Sequence, residues 1–182
     1  MTRQYHILLT FPGDDNFVRI LSVRSDASAK ELHNLILSSV NYPMDTIASF
    51  VFTDSENTLV KEFICDESFM ELSQEEGTET ALMEQVSVAQ IFEKKEELDC
   101  LYLFDVYQNR GFTLELYDTD SALTIASVLK AKGEAPELAS DWDLLENISD
   151  ESLFSTDEEI ESDEGQSFDE ESLYDITDPF ED

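Results

Sequence analysis

The chain reads FVRILSVR at residues 17–24 and SAKELHNLILSSV at residues 28–40, and the change of pattern between these two runs decides the fold. The first run alternates as a strand does, with one face formed by Phe17, Arg19, Leu21 and Val23. In the second run, apolar residues recur at the spacing of an amphipathic helix: Leu32, Leu35, Ile36 and Val40. Ser28 and Glu31 form a capping-box pattern at the start of this helix, and Pro43 stops it.

A β-hairpin is predicted directly before the helix. Residues 5–11 alternate in the same way as residues 17–24, and a cluster of turn formers at residues 12–16 separates the two runs. Alternating runs on both sides of such a turn predict an antiparallel pair. We interpret His6 as a surface residue on a strand at the edge of the sheet.

Four further runs are strand-like. Residues 49–53 predict a strand that pairs with an extended piece at residues 59–64. Residues 98–106 and 112–117 predict a second hairpin, joined by the turn Gln108-Asn109-Arg110-Gly111. Its inward faces should pair across the hairpin, and they consist of Tyr102, Phe104 and Val106 on one strand and Phe112, Leu114 and Leu116 on the other.

Three stretches carry weaker patterns. Residues 66–82 have no clear period and contain several glutamates, which favours an irregular loop. Ser87 can cap a short helix that ends at Phe92. Residues 121–130 are compatible with either a short helix or an extended segment.

Together these elements predict an α+β fold. A small mixed sheet of about five strands should carry one main helix, Ser28 to Asn41, on one face, and residues 1–133 should form this domain. Residues 134–182 form an acidic, low-complexity tail with too few apolar residues to offset the entropy of ordering. We predict that this tail is disordered in isolation.

The charge of the chain is strongly acidic and uneven. Ten Lys and Arg face 43 Asp and Glu, which gives a formal net charge of -33. No basic residue follows Lys132, whereas 20 of the acidic residues lie between Glu134 and Asp182. Binding to nucleic acid depends on Lys and Arg that release counterions, so direct nucleic-acid binding is not expected. A basic protein surface is the expected partner.

The sequence also indicates the cellular compartment of the protein. Cys65 and Cys100 could form one disulfide, but no basic and apolar leader pattern directs the chain to an oxidising compartment. We therefore expect free thiols in a cytoplasmic protein. The longest apolar runs, such as residues 101–104, fall far short of the roughly 20 residues that span a bilayer, so no membrane insertion is expected.

Five short segments, in order, resemble a known family. They are FVRILSV (17–23), AKELHNLI (29–36), VSVAQIF (86–92), YLFD (102–105) and KGEAP (132–136). In this order they resemble the landmarks of the Ri-plasmid Orf-three-like family, whose signature places an aromatic residue and Arg on a strand before a Leu-His pair on a helix. The resemblance covers most of residues 5–137 and implies an association with plasmids or insertion sequences, but no established activity.

Motifs for catalysis or for cofactor binding are missing from the sequence. A lone helical histidine such as His33 usually packs or caps, and two cysteines alone complete no tetrahedral metal site. Some family members are labelled resolvases. Serine-resolvase chemistry needs several arginines clustered around its nucleophile, whereas this chain has only four arginines in total, so the label does not fit. We therefore predict no catalytic, cofactor or metal site and no enzymatic activity; the distant alternatives are a metal-independent hydrolase or nuclease and an uncharacterised enzyme of a mobile-element family.

Apolar anchors stand among the acids of the tail. The candidate partner-binding residues are Trp142, Leu145, Ile148, Leu153, Phe154, Leu173, Tyr174 and Phe180. The first three lie near one face of a potential helix. We predict a binding or regulatory protein whose tail engages a basic partner surface, or a nucleic-acid mimic that inhibits a DNA- or RNA-binding protein. A merely solubilising extension is the alternative that the sequence leaves open.

Overall fold

The computed structural model of the chain describes residues 1–69, 77–106 and 108–138. Within these residues the chain forms eight strands and two helices. The strands are β1 (Gln4–Phe11), β2 (Asp14–Arg24), β3 (Ser49–Thr53), β4 (Leu59–Ile64), β5 (Glu79–Leu82), β6 (Asp99–Asp105), β7 (Arg110–Asp120) and β8 (Ser127–Lys132). The helices are α1 (Ala29–Val40) and α2 (Val88–Ile91), and a short 3-10 turn covers Glu67–Phe69.

All eight strands of the described residues join one sheet in the order β5-β4-β3-β6-β7-β1-β2-β8. The β4–β5 pair is parallel and the other pairs are antiparallel, so the sheet is mixed. The predicted α+β class is thereby confirmed. The sheet has eight strands in the described residues, however, whereas about five were expected.

Helix α1 forms where the sequence predicts it, because its start and its buried face are both encoded locally. The Glu31 amide donates to Ser28 Oγ at 3.2 Å, and the Ser28 amide donates to Glu31 Oε2 at 3.0 Å, which completes the capping box. Asn41 ends the helix in the left-handed conformation, with a φ of 57°. Leu32 and Ile36 are fully buried against the sheet, as predicted.

Strand β5 was missed, and residues 121–130 were left open as a helix or an extended segment, because neither β5 nor β8 has a simple alternating face. Strand β5 lies in the stretch that was predicted to be irregular, and its residues are exposed or half-buried. It is a strand because its backbone pairs with β4. Strand β8 is almost entirely exposed and pairs only with β2 among the described strands. Pairing partners distant in sequence therefore determined both strands.

Two side-chain predictions were wrong. Val106 was expected to face inward, but it lies beyond the end of β6 at the start of the turn and is 60 % exposed. His6 was placed on an edge strand, but β1 lies between β7 and β2 inside the sheet, and its side chain is half-buried. Both errors came from extending a strand pattern without knowledge of its neighbours.

Arg19 fastens the end of β8 to the rest of the domain. Its guanidinium is buried and donates to four main-chain carbonyl oxygens, those of Val18, Ser39, Lys132 and Gly133, at 2.7–3.1 Å. The Ser39 carbonyl belongs to the last turn of α1, where a cation is favoured. Gly133 has a φ of 73°, and a Cβ there would lie 2.7 Å from the Asn16 carbonyl oxygen, so the chain turns closely against β2.

Replacing Arg19 with methionine should lower the free energy of unfolding by about 3 kcal/mol, because buried carbonyl groups lose a charged donor. Urea denaturation followed by circular dichroism measures this change. The matched control is Arg3→Met, since Arg3 is exposed and its side chain makes one hydrogen bond among the described residues, to Thr119 at 3.4 Å; its cost should stay below about 0.5 kcal/mol. Equal costs for the two variants would contradict the structural role of Arg19.

Candidate functional site

His33 projects from α1 into the core and meets Tyr102 of β6. The Tyr102 hydroxyl lies 2.8 Å from His33 Nδ1, and the two groups share a hydrogen bond. Nε2 of His33 is buried and has no hydrogen-bond partner among the described residues. Burial, and secondarily the positive charge of Lys30, lower the pKa of His33 to about 4, while burial raises the pKa of Tyr102 well above its usual value. His33 is therefore packed, as expected for a lone helical histidine.

Asp105 lies at the end of β6, and Arg110 at the start of β7 faces it across the hairpin turn. The guanidinium donates to Asp105 Oδ2 from Nε at 3.0 Å and from Nη2 at 2.6 Å. The Gln108 amide donates to the other carboxylate oxygen at 3.0 Å, and the Asp105 side chain is only 3 % exposed. Three donors thus hold this carboxylate in a closed turn.

The two cysteines are separate free thiols, as predicted. Cys100 is buried in β6, and this burial raises the pKa of its thiol. Cys65 follows β4 and is half-buried; the ammonium group of Lys30 donates to its main-chain carbonyl at 3.1 Å. Among the described residues, no group of three or more His, Cys, Asp or Glu side chains is placed to hold a metal ion. No helix within these residues has both the length and the apolar character to cross a membrane.

These contacts define the roles of the two buried polar side chains, His33 and Asp105. His33 can exchange a proton with solvent only if the core opens, and Asp105 is fully engaged by its neighbours. Each therefore serves as an internal contact in this structure. An accessible groove lies elsewhere, beside the connection from β7 to β8.

This connection, residues 121–126, crosses the ends of β1 and β2 before β8 joins the sheet. The Thr124 amide donates to Gln4 Oε1 at 3.1 Å, and Gln4 Nε2 in turn donates to Ser22 Oγ at 2.8 Å. A groove of about 400 Å³ lies between the crossing chain and the start of α1. Its lining consists of Val23, Arg24, Ala27, Glu31, Leu123, Thr124, Ile125 and Ala126.

We call residues 121–132, which comprise the crossing connection and β8, the acid-free strip. In a chain with 43 acidic residues these twelve positions contain none, and they include Lys130 and Lys132. The strip exposes large apolar side chains, most strongly Ile125 at 86 % and Leu129 at 54 %, together with Leu123 and Val128. No local pattern predicted this surface, although the run without acids is visible in the sequence.

The predicted partner-binding residues, from Trp142 to Phe180, lie outside the described residues. The structure does show how the chain approaches them. Ala135 and Leu138 pack against the core, and the Tyr42 hydroxyl donates to the Pro136 carbonyl. Burial raises the pKa of Tyr42 to about 12, so this donor keeps its proton. Residues 134–138 therefore contact the domain, beyond the boundary predicted at residue 133.

Comparison with known proteins gives a likeness in fold alone. No family model matches the chain, and no curated protein matches it either. A solved structure, the protein of unknown function MM3350 from Methanosarcina mazei Go1, superposes with a TM-score of 0.58 at 15 % sequence identity. The match covers 81 % of each chain. At this identity the likeness supports the architecture and carries no function.

Proposed function

We propose that this chain is a non-enzymatic binding or regulatory protein whose acidic tail engages a basic surface on another protein. The single observation that carries the proposal is the distribution of charge: residues 139–182 contain 18 acidic residues and no basic residue. A polyanionic segment of this kind is attracted to basic surfaces and speeds association with them. The resemblance to the Ri-plasmid Orf-three-like family is retained as part of this proposal.

The folded domain supports this proposal by its geometry. His33, the histidine considered for chemistry from the sequence, and Asp105 both make internal contacts. Residues 134–138 are anchored on the domain, so the acidic segment leaves from a defined point beside Tyr42. Charge alone would make binding promiscuous, and aromatic anchors carry much of the energy at specific interfaces. Trp142, Phe154 and Tyr174 supply such anchors.

The test compares three proteins in a pull-down from cell extract with bound proteins identified by mass spectrometry. They are the full chain, a chain that ends at Leu138, and a full chain with alanine at Trp142, Leu145, Phe154 and Tyr174. Truncation after Leu138 keeps the packed residues 134–138 in place. We expect basic proteins to be retained by the full chain and lost on truncation. The alanine variant should bind them at least about tenfold more weakly.

Salt provides the second readout. Between about 0.1 M and 1 M salt the Debye length falls from about 10 Å to about 3 Å, so retention on the full chain should decline steeply. An alanine variant that binds as well as the parent would show that the tail acts as a simple polyanion. A truncated chain that retains the same proteins as the full chain would refute the proposal.

A further inference from the structure

We propose that the acid-free strip holds the first part of the tail, residues 139–154, in the same molecule. The first part of the tail would then stay bound to its own domain until a more strongly basic surface on a partner displaces it from the strip. This inference rests on the proposed function only in that it assigns a regulation to the same tail. It concerns a contact that needs no partner and can be measured without one.

The strip has the surface of a docking site. Leu123 and Ile125 line the groove of about 400 Å³, and Leu129 exposes a further apolar side chain on β8, so the exposed apolar residues of the strip are not scattered singly. Strand β8 pairs only with β2 among the described strands, so its other edge presents main-chain donors and acceptors. A segment with apolar anchors could bury both kinds of group.

Charge favours the tail as the occupant. Lys130 and Lys132 are exposed, and neither forms a salt bridge with a described residue, whereas Arg24, Lys61 and Arg110 each do. In the register of the sheet the two lysines lie opposite Ile20 and Val18, so no acid of β2 neutralises them. The tail carries only negative charge, and residues 139–154 combine five acids with five of the eight predicted anchors.

A second copy of the chain is a weaker candidate for the occupant. Each molecule carries a net charge of -33, so two whole molecules repel one another. The tail of the same molecule adds no charge to the assembly, and its effective concentration beside the strip is high because the two are covalently linked.

The chain is also long enough for this contact. The described residues end at Leu138, only six residues after the last residue of β8. The six residues of β8 span about 20 Å at 3.3 Å each. Residues 139–148 reach about 33 Å when extended and about 15 Å as a helix. The extended segment is therefore longer than β8. Trp142, the fourth residue after Leu138, lies within about 13 Å of that residue, so β8 is the part of the strip that it can contact.

Trp142 is the only tryptophan of the chain, so its fluorescence reports on this segment alone. The experiment measures acrylamide quenching and the emission maximum in the full-length parent, a neutral quencher being chosen because the tail repels anions. We expect shielded, blue-shifted emission in the parent. In Lys130→Glu with Lys132→Glu, the ratio of docked to free tail should fall about tenfold, through lost attraction and new repulsion. Val128→Ser with Leu129→Ser, at the exposed apolar side chains of β8, should also release Trp142.

The matched control is Lys94→Glu with Lys95→Glu, which makes the same change of charge at two exposed lysines after α2. It should leave Trp142 shielded, and circular dichroism confirms that each variant is folded. Full exposure of Trp142 in the parent would overturn the inference, as would shielding that neither strip variant reduces; Lys130 and Lys132 would then serve only to discourage edge pairing. Shielding that depends on protein concentration would assign the contact to a second copy instead.

The outcome of the fluorescence experiment is independent of the outcome of the pull-down. A pull-down without basic partners would refute the proposed function and leave the fluorescence result unaffected. If both proposals hold, the Lys130→Glu and Lys132→Glu variant should retain more partner than the parent does, because its tail is released.

Discussion

Replacing Asp105 with alanine should lower the free energy of unfolding by about 3–5 kcal/mol, the largest effect we expect from a single polar substitution in this domain. The substitution leaves the Arg110 guanidinium without its partner inside a closed turn and removes the acceptor of the Gln108 amide. Chemical denaturation of the purified variant measures the loss.

The chain contains a matched control for this prediction. Arg24 donates to both carboxylate oxygens of Asp26, at 2.9 Å and 2.7 Å, but this pair lies on the surface, where Asp26 is 46 % exposed. Asp26→Ala should therefore cost less than about 1 kcal/mol. A double variant that also replaces Arg110 with methionine should be more stable than Asp105→Ala alone. A cost for Asp105→Ala no larger than that for Asp26→Ala would contradict the buried clamp.

Acidification should destabilise the folded state through His33, by up to about 3 kcal/mol between pH 6.5 and pH 4. Burial lowers the pKa of His33 to about 4 in the folded protein, whereas the unfolded chain takes up this proton near pH 6.5. In this window the unfolded state binds more protons, so stability falls as the pH falls. Below pH 4 both states are protonated at His33, and its contribution to the slope ends.

The measurement is the free energy of unfolding across this pH window for the parent and for His33→Asn, whose amide can still bond to the Tyr102 hydroxyl. Other acidic groups titrate in both proteins, so the difference between the two curves isolates His33. His6→Asn, on the half-buried position of β1, controls for the loss of a histidine. Parallel curves for the parent and His33→Asn would show that His33 does not couple folding to pH.

Local signals account for the parts of the fold that sequence alone predicted. Helix α1 was found because Ser28, Glu31 and the recurring apolar residues all lie within thirteen positions of one another. The Asp105–Arg110 clamp spans five positions, so it too was accessible in principle. The contact of His33 with Tyr102 spans 69 positions, and no local pattern pairs them.

The sequence by itself therefore determined the α+β class, the capped helix, the first hairpin and the acidity of the tail, because each depends on periodicity or composition within a short window. The tertiary structure decided that the sheet has eight strands among the described residues, that β8 lies at its edge and that the acid-free strip faces solvent. The physical reason is that these features depend on which distant backbone is available for pairing. Strand β8 has no buried alternating face, and Arg19 and the backbone of β2 hold it in place.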